Sequence, residues 1–160
     1  METLEFKVMG KIKGKQRPRV STFGGFARAY TPKETIEYEN LVRLSFLEQY
    51  PNIIPIDAKK PLKVVLKCFK AIPQTFCKWK KELALDRVIR PTVKPDLDNI
   101  AKSVLDGLNK VAFSDDSQIV DLHIESYYGS AECVIVSIQE IEQPYTSDEA
   151  KEYKNKLYKM

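Results

Sequence analysis

Between Leu97 and Val111 the apolar residues Leu97, Ile100, Ala101, Val104, Leu105 and Leu108 recur at three- and four-residue spacing. That period gathers them on one face of a helix, which must be buried against another layer. The runs that follow, Ser117–Tyr127 and Ala131–Ile141, read as strands joined by Gly129-Ser130, a hairpin. A one-faced helix feeding paired strands calls for a sheet with helices packed on it.

The rest of the chain fits that scheme. Leu4, Phe6 and Val8 alternate with polar neighbours across Thr3–Met9, the pattern of a half-buried strand. Thr31-Pro32-Lys33-Glu34 reads as a helix start, with Thr31 as cap and Glu34 completing a capping box. This helix is expected to run to Gln49, where Tyr50-Pro51 and Ile54-Pro55 break it. Leu62–Phe69 reads as a strand, Gln74–Leu85 as a second helix with Phe76, Trp79 and Leu83 on one side, and Arg87–Val93 as a short strand. The expected fold is α+β, a mixed β-sheet with helices packed on it, in the order β-α-β-α-β-α-β-β. One domain over residues 1–142 is expected, followed by a charged tail, 143–160, helical or frayed.

Composition excludes several classes. Cys68, Cys77 and Cys133 are widely spaced, no C-x-x-C is present, and His123 is the one histidine, so a structural zinc site is not expected. The cysteines read as small buried hydrophobes. The N-terminus has no signal-peptide pattern and no apolar run spans a bilayer, so a cytoplasmic protein with no membrane contact is expected. Charge is unevenly placed. Residues 1–114 hold 22 Lys+Arg against 12 Asp+Glu, whereas residues 115–160 hold 4 against 10. A basic body is compatible with a polyanionic partner.

The chemistry-bearing stretch is Lys94-Pro95-Asp96-Leu97-Asp98-Asn99-Ile100-Ala101-Lys102, followed by Asp115-Asp116-Ser117-Gln118. Side chains two apart share a face only in extended chain, since a helix separates them by about 200°. Pro95 favours extended backbone before it. Asp96 and Asp98 therefore converge if they sit at the entry to the helix, where the dipole favours negative charge. A helix folding back on its sheet is expected to bring the strand start at Asp116 beside that pair. Carboxylates alone, with no His or Cys nearby, select a hard cation, Mg²⁺ with Mn²⁺ as a substitute. Lys102, one turn beyond Asp98, serves either to stabilise a scissile phosphate or as an i,i+4 partner of Asp98. Asp96 also reads as a plain N-cap, and Asp115-Asp116 as a turn.

At these residues the chain resembles the RusA family of Holliday junction resolvases. The resemblance rests on Pro95-Asp96-Leu97-Asp98-Asn99, Lys102, Asp106-Gly107-Leu108-Asn109 and Asp115-Asp116-Ser117-Gln118, all in order. Lys15-Gln16-Arg17-Pro18-Arg19 and Ala29-Tyr30-Thr31-Pro32 add to it, so that residues 4–138 are covered. The resemblance implies that Asp96, Asp98 and Asp116 are metal-binding catalytic aspartates and that Lys102 is an essential lysine. Asp115 matches a less critical acidic position. It also implies a homodimer that resolves four-way junctions with Mg²⁺ by paired symmetric nicks, in DNA recombination and repair, as in phages and prophages.

For DNA binding the first candidates are Lys11, Lys13, Lys15, Arg17, Arg19 and Arg28 on the N-terminal segment. Lys78, Lys80 and Lys81 with Arg87 and Arg90 form a second group. Phe23-Gly24-Gly25-Phe26 reads as a hairpin tip or mobile loop, whose aromatics either stack on opened bases or pack on the domain edge. Three functions remain in contention: a structure-selective endonuclease on branched DNA, a non-catalytic branched-DNA-binding module, and a small nucleotide phosphohydrolase. The absence of a P-loop weighs against the last.

Overall fold

A computed structural model describes residues 3–159; Met1, Glu2 and Met160, the outermost residues of the expected domain and tail, lie outside the described residues. The chain order is β1 (Leu4–Met9), β2 (Arg19–Phe23), β3 (Phe26–Tyr30), α1 (Lys33–Gln49), β4 (Leu62–Ala71), α2 (Lys78–Leu85), α3 (Leu97–Leu108), β5 (Ile119–Gly129), β6 (Cys133–Glu140) and α4 (Ser147–Leu157). A short 3₁₀ turn, Asp116–Gln118, precedes β5.

The main sheet is mixed, in the order β1-β6-β4-β5. β6 is antiparallel to both β1 and β4, and β4 is parallel to β5 through the crossover that contains α2 and α3. Strand alternation sends Phe6, Val8, Leu62, Val64, Leu66, Cys68, Val134, Val136 and Ile138 to one face, where all are buried. Tyr38, Val42 and Phe46 of α1 and Ile100, Val104 and Leu108 of α3 meet them. The two helices approach closely because Gly107 lacks a side chain. A Cβ there would lie 2.7 Å from the Glu39 carbonyl oxygen and 2.9 Å from the Val42 Cβ. The α+β class and the mixed sheet thus stand as expected.

Six local expectations are corrected. The strands on either side of Gly129-Ser130 do not form a hairpin: β4 lies between them, parallel to β5 and antiparallel to β6, because its apolar residues are buried at the centre of the sheet. Thr31 does not cap α1: Pro32 takes the cap position with no side-chain bond, and Glu34 turns to Lys13 and Gln16 instead. The second helix starts at Lys78 rather than Gln74, because Pro73–Phe76 forms a turn, and Trp79 is exposed. Residues 87–93 form no strand. Arg90 donates its Nε to the Ser126 carbonyl at 2.5 Å, occupying the β5 acceptor that a paired strand would need, and its guanidinium lies 4.0 Å from the Tyr127 ring centroid. Phe23 and Phe26 do not pack on the domain edge: they close a separate two-stranded hairpin, β2–β3, and are 91% and 76% exposed. Cys68 and Cys133 are buried, but Cys77 is exposed at the cap of α2.

The tail forms α4, begun by a capping box between Thr146 and Glu149, with no buried residue. Among the described residues no helix is long and apolar enough to cross a membrane.

Candidate active site

Asp96 and Asp98 stand on the N-terminal rim of α3. Asp96 is the cap residue, with extended backbone (φ −70°, ψ 150°), and its carboxylate makes no capping hydrogen bond. Asp98 lies in the first turn and is exposed; among the described residues its one ion-pair partner is Lys102, whose Nζ is 3.7 Å away. The helix N-terminus favours both negative charges, and neither carboxylate is used up in holding the fold. The plain-cap reading of Asp96 is therefore not what the structure shows.

The rim is held in place by residues that sequence reasoning passed over. Lys70 sits on the buried face of β4, in register with Leu62, Val64, Leu66 and Cys68. Its ammonium donates to the carbonyls of Val93, at 2.5 Å, and Pro95, at 2.8 Å, which clamps the segment leading into Asp96. Burial lowers the Lys70 pKa from its ordinary value. The signal was present in the sequence: a lysine on the apolar phase of an alternating strand needs buried acceptors.

The N-terminal segment crosses the same rim. Lys15 N donates to the Asn99 carbonyl, and Gly14 lies so near that a Cβ would fall 2.8 Å from the Pro95 Cβ. Lys15 is paired with Asp106 and lies 3.5 Å from Glu39, and the hydrogen bond to Asp106 raises its pKa. Its ammonium ties the segment to α3 and α1. Asp106 is the other half of that tie. Lys13 pairs with Glu34 at 3.4 Å. Lys11, Arg17, Arg19 and Arg28 are exposed and form no salt bridge among the described residues. Lys11, Lys13, Lys94 and Asp96 together line an open cleft of about 380 Å³.

Asp116 lies elsewhere. α3 carries the chain away from the Asp96/Asp98 rim, over roughly 18 Å of helix. At the far end Lys110 Nζ is 3.7 Å from Asp115, and β5 starts there beside Leu62. The expected meeting of Asp116 with Asp96 and Asp98 therefore does not occur within one chain, because the helix takes the chain to the opposite end of the strands. Among the described residues no group of three or more potential ligands gathers around one point.

Asp115 and Asp116 have different tasks. Asp115 caps the 3₁₀ turn, accepting from Ser117 N at 3.0 Å, and hydrogen bonding by the Ser117 side chain and backbone holds its carboxyl below the usual range. Gln118 completes the capping box and is buried, donating to the Asp57 and Lys60 carbonyls at 2.7 and 3.0 Å. The spacing Asp115-x-x-Gln118 is a recognisable capping-box signal that sequence reasoning missed. Asp116 is left exposed in this anchored turn.

A divalent cation is the test of this donor set. Asp96 and Asp98 offer unengaged carboxylate oxygens on one rim, and Mg²⁺ needs one or two carboxylates, its waters and substrate phosphate. The pair fits such an ion.

The comparisons with known proteins agree with the motif order. The chain is 33% identical over 143 residues to "Uncharacterized protein YqaN" of Bacillus subtilis (strain 168), covering 88% of this chain and 99% of the relative. The family model "Endodeoxyribonuclease RusA" matches residues 9–139. The chain belongs to the RusA endodeoxyribonuclease family, which implies Holliday junction resolvase activity on branched DNA.

Proposed function

We propose that the protein is a Mg²⁺-dependent endonuclease that nicks opposing strands of a four-way junction as a homodimer. The observation that carries this reading is the division of its carboxylates between the two ends of α3. Asp96 and the Lys102-paired Asp98 stand exposed at one end and Asp116 at the other, none of their carboxylates capping a helix or turn, so that in this reading one protomer completes the set of its partner.

The free edge of β5 offers a route to that dimer. Among the described residues no strand pairs with its outer side. Leu122 is 42% exposed there, although it lies on the sheet face that buries Val64 and Leu66, and Val120, at the register irregularity where β5 begins, is 65% exposed. Antiparallel pairing centred on Leu122 sets Val120 beside the partner's Ile124 and Asp121 beside the partner's His123, so the edge is complementary to itself. The same pairing moves the start of β5 towards the partner's far strand end, where the Asp96/Asp98 rim lies.

In this reading Asp96, Asp98 and the partner's Asp116 hold Mg²⁺, with Mn²⁺ as a substitute; the ion would activate water for in-line attack and neutralise the leaving oxygen. Lys102 stabilises charge on the scissile phosphate from the next helical turn. Lys11, Lys13, Arg17, Arg19 and Arg28 neutralise flanking phosphates, whereas Lys15 holds their segment to α3. Two identical sites related by a two-fold axis match the symmetry of a four-way junction and give symmetric cuts.

The test offers the protein a four-way junction, a linear duplex and nucleoside triphosphates, with and without Mg²⁺. Paired, Mg²⁺-dependent nicks confined to the junction are expected. Junction binding without nicks at any metal concentration would instead identify a binding module, and triphosphate hydrolysis a phosphohydrolase.

A further inference from the structure

All ten residues of the β2–β3 hairpin are exposed. An isolated two-stranded ribbon is marginal in water, so an arm of this kind is completed by what it binds. Its register pairs Arg19 with Tyr30, Ser21 with Arg28, and Phe23 with Phe26. Because side chains alternate along a strand, these six share one face. The opposite face holds only Val20, Thr22, Ala27 and Ala29. One side of the ribbon thus collects both arginines and all three aromatics, with the two phenylalanines at the tip. The turn itself is fixed by Gly24 and Gly25, whose φ values of +64° and +82° suit the tight loop of a twisted hairpin.

We propose that this arm is a wedge that reads the branch point of DNA: Phe23 and Phe26 stack on bases exposed there, while Arg19 and Arg28 grip the adjoining phosphates. The inference rests on the branched-DNA reading above and names the contact that distinguishes a junction from a duplex. Bases at a strand exchange present π faces that a continuous duplex covers, and aromatic side chains stack on any base. The charge pattern selects the occupant. No Asp or Glu occurs between Lys11 and Lys33, so the whole arm and its root are cationic. Two copies of this arginine-bearing face would repel each other, whereas a polyanion is complementary to it. The arm is also continuous with the reacting site, since Lys11–Gln16 at its root line the cleft that contains Asp96.

The experiment uses the full chain carrying Asp98→Asn, in Mg²⁺, so that the DNA stays uncut. A four-way junction with 2-aminopurine at the branch point reports unstacking by a rise in fluorescence. The parent protein is expected to raise the signal. Phe23→Ala/Phe26→Ala is expected to abolish the rise and weaken junction binding by about tenfold, with linear duplex affinity nearly unchanged. Phe23→Leu/Phe26→Leu is expected to lose most of the rise, since an aliphatic tip cannot stack. Both substitutions fall on exposed positions, and a circular-dichroism melt checks that they leave the fold intact.

A double-alanine variant that still raises the signal and binds as tightly overturns the wedge. So does one that loses only self-association in sedimentation, with the DNA signal unchanged. If the parent protein binds no junction, the wedge and the reading beneath it both fall; if it binds but the tip is silent, only the wedge does.

Discussion

The two ends of α3 both carry acidic residues, and the fold treats them differently. At the N-terminal end Asp96 and Asp98 make no hydrogen bond that holds the backbone. At the C-terminal end one of two neighbouring aspartates is consumed by structure: Asp115 caps a turn that Gln118 anchors, and Asp116 beside it is left exposed. Residue type alone does not separate the four carboxylates; hydrogen-bond occupancy does. Those that hold no backbone hydrogen bond are available for a cation and for phosphate, and the one the fold uses sets the position of its neighbour.

The largest effect expected from this contrast concerns catalysis. Asp98→Asn and Asp116→Asn should each reduce junction nicking by about 100-fold or more, with little change in melting temperature measured in chelator. A slightly raised melting temperature for Asp98→Asn would fit relief of repulsion from Asp96. A clear fall would sharpen the contrast the other way, by showing that Asp98 supports the helix. Gln118→Ala should behave oppositely. It strips partners from the Asp57 and Lys60 carbonyls and from Asp115 N, and should cost about 1–3 kcal/mol in denaturant unfolding.

Lys70→Met tests whether the N-terminal rim is held or merely adjacent. Freeing the Val93 and Pro95 carbonyls should cost about 1–2 kcal/mol of stability. It should also raise the Mg²⁺ concentration needed for half-maximal nicking, a change that Lys70→Arg partly restores. Unaltered Mg²⁺ dependence in Lys70→Met would remove the clamp from the account.

The smallest effect is acid sensitivity at the other end. The folded-state pKa of Asp115 is depressed below 3.8 by its bond to Ser117. Its stabilisation is therefore present in full well above the unfolded value, and it declines as pH falls through that value towards the folded one. As pH falls from about 5 through the ordinary aspartate range, Asp115→Asn should lose less stability than the parent in thermal melts.

Much of this architecture was legible in the chain. The helical period of Leu97–Leu108 and the alternation in Leu4–Met9 each follow from one-sided burial, which sequence spacing records directly. The two strands after Ser117 were legible as strands, but not their neighbours: β4 lies between them, a long-range pairing that leaves no local signal. Residues 87–93 misled because their β-branched residues suit a strand, while Arg90 and Tyr127 supply side-chain contacts that replace backbone pairing. Such contacts depend on tertiary placement and leave no period. At the site, the spacing of Asp96 and Asp98 foretold a shared rim. It did not foretell the direction in which α3 carries the chain, and so Asp116 was expected beside them. Lys70 and the Asp115–Gln118 box were readable in principle, the first as a charge on an apolar phase and the second as a capping spacing.

The claim at the centre is that each site draws carboxylates from two protomers. The direct measurement is junction nicking by a purified mixed dimer, one protomer carrying Asp98→Asn and the other Asp116→Asn, isolated through two different affinity tags. Sharing across the dimer leaves one site with every carboxylate intact, so the mixed dimer should nick a single strand at a rate far above that of either parent homodimer. A mixed dimer as inactive as its parents, beside a wild-type dimer that cuts, would contradict the account.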